Sequence, residues 1–412
     1  MRTKFTVLFA GAMCLFATAA VPYGDAKPVG GLDDWTQYYG SADHNNLRSV
    51  QDKIGYPVVL WRMDDTYAVP AVYADKVYVP GKTLRVLDLT TGEVLHSVEA
   101  GVLEEDEDAR NQPRYSGTPV ITGTAVIAVK STGEVESWGL DLKKKNWTTD
   151  VSDKGTAGWG MFSPAMSGET LVLASGAVVG LSTVTGNVTW TFDPPTGRVQ
   201  MAPAISNGKV YFASSPGTVY CLDLESGKEV WSVDAERTFG WTNPVVHKDV
   251  VYLSDRGAAG RRGAVNAFDA GTGKALWSQT FGATGSSTPG MGPDSIYVGF
   301  GKFVGEFDLK TGKPGSSQGY RTGINPFGTP TLVGKSLIFG NLDGNLYVFS
   351  AKSESLKWRF ELKANEAGES GQVSGFAYLK KGILLVSTTQ GLYAIGQRKG
   401  KKRCSPGYIL TN

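Results

Sequence analysis

The chain has 412 residues, a formal net charge of +2, 53 glycines, and 11% aromatic against 19% charged residues. So even a balance excludes nucleic-acid recognition through a whole-molecule field, and three cysteines exclude a disulfide-built scaffold. Abundant glycine and aromatics with few charges favour many short strands joined by tight turns, and a large all-β fold accommodates this length as one domain.

The N-terminus reads as a secretory signal peptide over residues 1–26. "MRTK" is basic, "FTVLFAGAMCLFATAA" is apolar and small, and the small residues from Ala19 to Ala26 offer cleavage points. The run is too short and Ala-rich for a spanning helix, and no later segment supplies the roughly 18 consecutive apolar residues that one needs. Export to the periplasm or cell envelope is expected. Cys14 is preceded by Met13, where a lipid-anchored cysteine needs a small residue, so acylation there is disfavoured.

The lead-in "DDWTQYYGSADHNNLRSV" is followed by one isolated strand pattern, "VVLWRMDD" (Val58 to Asp65), and then by a repeat. Its clearest copies are "LDLESGKEVWS" and "FDAGTGKALWS": an apolar residue, Asp, a turn closing on Gly–Lys, and Trp eight positions after the Asp. The Asp position is held by Asp88, Asp141, Asp223, Asp269 and Asp308, with Ser182 and Ser350 substituting. A Pro opens each copy, at Pro70, Pro119, Pro164, Pro203, Pro244, Pro289 and Pro330, and Phe376 stands there in an eighth. These openings lie 39 to 49 residues apart, the size of a four-stranded propeller blade.

Each part of the repeat has a physical task. Runs such as "KVYFAS" and "TVYCLDL" alternate at period two and are rich in strand formers. Asp accepts hydrogen bonds from the turn that it overhangs, and Gly supplies the positive φ. Trp is large enough to seal two adjacent sheets. Trp61, Trp147, Trp190, Trp231, Trp277 and Trp358 are the expected sealing residues, whereas His96 and Ser316 fill that slot in the first and sixth copies and predict seams that are weaker or packed by neighbours. The eighth copy stops at Gln397 without a fourth strand, and residues 398–412 form a basic tail expected to be flexible. The orphan strand bearing Trp61 completes it. The predicted architecture is one all-β domain, residues 27–397, forming an eight-bladed propeller whose last blade is closed by the N-terminal strand, which removes the open edges.

These motifs resemble the pyrroloquinoline-quinone-type β-propeller repeat over roughly Trp35 to Gln397. The lead-in also matches that class in its "DW-x-Q-x-x-G" pattern, through Trp35, Gln37 and Gly40. Within the class the chain resembles the family of the outer-membrane assembly factor BamB, which implies an exported, non-catalytic scaffold. Such a resemblance carries fold more firmly than function.

Chemistry is sparse. The large quinone-dependent alcohol dehydrogenases of the same repeat class hold pyrroloquinoline quinone against two adjacent cysteines and place Ca²⁺ among Glu, Asn and Asp, and this sequence has no adjacent cysteine pair. An Asp present once per blade serves the blade. The acidic run Glu104 to Asp108 lacks the Gly-containing alternation of a calcium loop, and His44, His96 and His247 have no metal-ligand spacing. No catalytic residue, cofactor or metal site is assigned. The segments crossing from one blade to the next carry Arg114, Trp159, Arg198, Trp241 and Arg321, residue types common in protein-binding hot spots. Trp159 and Trp241 equally suit packing beneath the loops. The reading is a monomeric scaffold that binds envelope proteins through this rim and meets the membrane only peripherally. Two alternatives stand beside it: a pyrroloquinoline-quinone and Ca²⁺-dependent oxidoreductase, and a ligand- or glycan-binding propeller.

Overall fold

The structure, a computed structural model, describes residues 36–44, 57–64, most of 66–397, and 409–410. The expected signal peptide, Cys14, Trp35, the acidic run, Trp159, Trp241, Ser316 and residues 398–408 of the tail lie outside the described residues.

Alternating strand and turn signals fold into eight antiparallel sheets, each built on four strands in sequential order. Blade 4 shows the plan: inner strand Ala204–Ser206, second strand Lys209–Ser215, third strand Thr218–Asp223, outer strand Glu229–Asp234. Each Pro that opens a copy falls at the start of an inner strand, where no ladder donor is needed; in blade 2 it lies inside the strand Tyr115–Ile121. The turn between inner and second strands puts non-Gly residues at positive φ, among them Ala74 and Asp75 in blade 1 and Asn207 in blade 4. That is the geometry of a tight hairpin.

The expected ring closure is present. Pro57–Asp64 pairs antiparallel with Gly391–Gln397, making it the outer strand of blade 8, and Trp61 lies opposite Ala394. In blade 6 the outer strand has shrunk to Tyr320–Arg321. The tail, read as patternless, contributes Ile409–Leu410, which runs parallel beside Arg359 and Phe360 of blade 7.

The core is distributed between blades. Apolar clusters join blade 8 to blade 1 through Trp61, Val77, Leu87 and Leu392, and blade 1 to blade 2 through Leu84, Val86, Ile121 and Val126. Second and third strands are therefore buried on both faces, as in Ala125–Lys130, and the period-two polarity of the sequence survives only in outer strands such as Glu229–Asp234. Sandwiching every sheet between two others is the reason. Among the described residues no helix is long and apolar enough to cross a membrane.

Candidate functional site

Two sets of residues come forward from the sequence: the residues that join the blades, and the arginines of the crossovers. In the joints, the corner Asp is saturated by its own turn. Asp223 Oδ1 accepts Ser226 N–H at 2.9 Å and Ser226 Oγ–H at 2.6 Å, and Asp269 and Asp308 do the same with Thr272 and Thr311. Hydrogen bonds from the hydroxyl three residues on lead in holding these three carboxyls below the usual range, and the backbone N–H of Thr91 does so for Asp88. The turn glycine lies at positive φ, 66° at Gly227, and leaves room for the Trp of the preceding blade. A Cβ at Gly227 would sit 2.5 Å from Cδ2 of Trp190. The same contact joins Gly186 to Trp147, Gly273 to Trp231, Gly312 to Trp277 and Gly92 to Trp61.

Each indole then donates to the carbonyl that follows the next blade's corner: Trp190 to Leu224 at 2.9 Å, Trp231 to Ala270 at 3.1 Å, Trp277 to Leu309 at 3.1 Å and Trp147 to Thr183 at 3.2 Å. Trp61 donates to Leu89 at 2.9 Å, so the N-terminal strand joins blade 8 to blade 1 as an ordinary Trp joins any other pair.

Three joints differ. In blade 6, Tyr320 Oη donates to Ala351 at 3.0 Å, supplying the cross-blade donor where the sequence offers Ser316. At the blade 1–2 joint His96 is half-buried, and the cross-blade donor is Tyr78 Oη, which reaches Leu140 at 3.0 Å as Tyr211 and Tyr252 reach Ala270 and Leu309 beside their Trp. Trp358 is buried, yet its Nε1 finds no acceptor among the described residues. The carbonyl in the equivalent register belongs to Gln397, where the third strand of blade 8 ends and the outer strand comes from the other end of the chain.

A second belt was not read from the sequence. At three crossings the residue before the opening Pro binds the matching residue of the next blade: Thr118 N–H to Ser163 Oγ at 2.8 Å, Ala202 N–H to Asn243 Oδ1 at 2.8 Å, and Asn243 N–H to Thr288 Oγ1 at 2.9 Å. The recurring small polar residue before Pro was its only signal. Blade 2 also holds an ionic centre beneath its surface. Glu136 accepts Tyr115 Oη at 2.6 Å and lies 2.6 Å from Lys145 Nζ and 3.0 Å from Lys130 Nζ. Burial works to raise this carboxyl, but the hydrogen bonds from Lys145, Tyr115 and Lys130 hold it below its ordinary value. Every oxygen is used within the blade.

Of the crossover residues, Arg114, Arg198 and Arg321 are described. Arg114 precedes Tyr115, which pairs with Lys130. Arg198 pairs with Ser215, and Arg321 with Phe303. All three register positions flank turns between second and third strands, so alternate blades 2, 4 and 6 bring them to one end of the ring. Arg198 and Arg321 are exposed and Arg114 is half-buried. Their setting differs from the expected loops. Arg198 lies in a short strand (Arg198–Val199) added to blade 4, and Arg321 in the outer strand of blade 6, because the crossover backbone finds ladder partners there.

Among the described residues no three His, Cys, Asp or Glu side chains converge to hold a metal ion. Cys221 is buried, and burial pushes its thiol up to about 12. The buried carboxylate of Asp255 is taken up by Gly257 N–H at 2.9 Å and Asn266 Nδ2 at 3.2 Å, with Arg237 Nε at 3.7 Å.

A family model described as outer membrane protein assembly factor BamB matches residues 58–191, 138–253, 174–318 and 215–407, overlapping segments that run the length of the ring. The chain belongs to this family. It is 24% identical over 286 residues to the BamB of Burkholderia pseudomallei, covering 58% of this chain and 74% of that protein. It is also 36% identical over 132 residues to a quinohemoprotein alcohol dehydrogenase of Comamonas testosteroni, but that match covers 27% of this chain and only 18% of the dehydrogenase. The solved BamB of Moraxella catarrhalis superposes with a TM-score of 0.62 at 16% identity, covering 85% of this chain and all of that one, which speaks for the fold.

Proposed function

We propose that this protein is an exported, non-catalytic propeller that holds protein partners in the assembly of outer-membrane proteins, as the name of its family suggests. The observation carrying this reading is the gathering of Arg114, Arg198 and Arg321 at one end of the ring, while the recurrent Asp, Gly and Trp residues are used within the joints. Arginine combines a planar donor array with an apolar stem, which suits it to a protein interface with acidic character. The partner is therefore an envelope protein presenting carboxylates to this end.

The test is affinity capture from detergent-solubilised envelopes with the parent and an Arg198→Glu, Arg321→Glu variant of equal thermal stability. The parent retains a component of the outer-membrane assembly machinery and the variant loses most of it, more so at low salt. Equal retention by both removes the arginine end from the account. The local likeness to a quinohemoprotein dehydrogenase supports a second reading as a quinone-dependent oxidoreductase. Incubation with pyrroloquinoline quinone and Ca²⁺ followed by dye reduction with alcohols or sugars separates the two, since the scaffold gives no turnover.

A further inference from the structure

The inner strand of each blade pairs only on its outward side, so alternate backbone N–H groups face the central channel as an open sheet edge. In four successive blades these donors are taken by one short segment. Ile121 N–H in blade 2 donates to Thr36 O at 2.8 Å. In blade 3, Met166 N–H donates to Gln37 Oε1 at 3.0 Å while Gln37 Nε2 donates to Met166 O at 3.4 Å. Ile205 N–H in blade 4 donates to Ala42 O at 2.7 Å, and Val246 N–H in blade 5 to Asp43 O at 2.9 Å.

The segment is shaped for this path. A single 3₁₀ turn, Tyr38–Gly40, steps it from blade 3 to blade 4, with Gly40 at φ 80°. Ser41 Oγ then donates to Asp43 Oδ1 at 2.7 Å, and His44 is buried with Nδ1 2.8 Å from Pro244 O. Met166, Ile205 and Val246 are each the middle residue of a three-residue inner strand, next to the turn into the second strand. The segment therefore lies toward the end of the channel opposite to Arg198 and Arg321. Recognition is almost wholly of backbone, with Gln37 and His44 as the side chains that fix register.

We propose that the channel-facing edges of blades 2 to 5 are a peptide-binding surface, and that residues 36–44 of this same chain are its occupant. Bound there, the segment clamps four blades from inside, independently of the Trp joints on their outer side. Because these contacts are made to backbone carbonyls and to the Gln37 amide, the surface also takes the same segment when it is offered as a separate peptide.

Hydrogen exchange with peptide-level resolution tests this in the full chain carrying Gln37→Ala and Gly40→Val, the first removing both bonds to Met166 and the second straining the turn. A hydrogen bond or two of lost protection corresponds to about tenfold faster exchange. That acceleration is expected in the inner strands of blades 3, 4 and 5, with Ala71–Tyr73 of blade 1 and Thr331–Val333 of blade 7 unchanged. A synthetic peptide of residues 35–45 then restores protection. Unchanged exchange, equal acceleration in all inner strands, or failure of the peptide to restore protection would each overturn the proposal.

Discussion

Replacing Trp190 by Ala tests the joint between blades 3 and 4 from one side, and replacing Gly227 by Ala tests it from the other. Trp190 is 8% exposed and packs on Gly227 while donating to Leu224 O. A buried Trp removes roughly 200 Å² from water, worth up to about 5 kcal/mol at ~25 cal/mol/Å², and measured core truncations of this kind cost about 3–5 kcal/mol. With an unfolding entropy of about 2.1 cal/mol/K per residue, a ring of this size loses about 5 °C in Tm for ~4 kcal/mol. In the parent, Gly227→Ala meets the indole at 2.5 Å and also carries the strain of φ +66°. In the Trp190→Ala background only the backbone strain remains, about 1–2 kcal/mol. Calorimetry of the four proteins in the cycle should therefore show the double variant more stable than the sum of the single losses by more than about 1 kcal/mol. Strict additivity would refute the claim that this glycine exists to seat this tryptophan.

Other residues give further expected outcomes. Burial lowers His44 to about 4 from 6.5 even though its hydrogen bond to Pro244 O works the other way. The unfolded chain takes up a proton below 6.5 that the folded chain refuses until about 4, so this contribution is intact above 6.5 and is lost as pH falls through that window. The loss reaches about 3 kcal/mol, and denaturant titrations at pH 7 and pH 4.5 should show a smaller difference in His44→Asn than in the parent. Tyr320→Phe deletes the donor to Ala351 O that bridges blades 6 and 7. It should cost about 1 kcal/mol by denaturant titration, whereas a joint that relied on packing alone would not respond.

The ring was legible because its unit is written many times over. Asp, Gly and Trp at fixed offsets in "LDLESGKEVW" gave the corner, the seat and the seal, and an orphan strand with Trp61 at one end answered a missing strand at the other. Features that occur once were harder to read. Tyr320, in an outer strand of only two residues, bridges to Ala351 of blade 7 from outside the Trp slot, where the repeat gave no signal. Among the described residues the donor of Trp358 lacks its acceptor where the ends of the chain meet, a property of closure rather than of any one repeat. Gln37 belonged to a recognised lead-in pattern, yet its contact with Met166 spans 129 positions and no local periodicity encodes it. Of the rim, Arg114, Arg198 and Arg321 were placed at one end by the regular spacing of the crossovers, but their pairing in short strands follows from backbone groups that seek partners.

The closure of the ring by its own first strand is tested most directly by a covalent link across it. Arg62 lies opposite Tyr393 and stacks over its ring, 5.2 Å from the centroid, so the pair shares one face of blade 8. With Arg62→Cys and Tyr393→Cys introduced and Cys404 replaced by Ser, mild oxidation should join the two cysteines in the native protein. Tying off a loop of more than about 300 residues restrains the unfolded chain by up to ~5–6 kcal/mol, so Tm should rise on oxidation and fall again on reduction. Thiols that remain free in the folded protein under the same oxidation would contradict the closure.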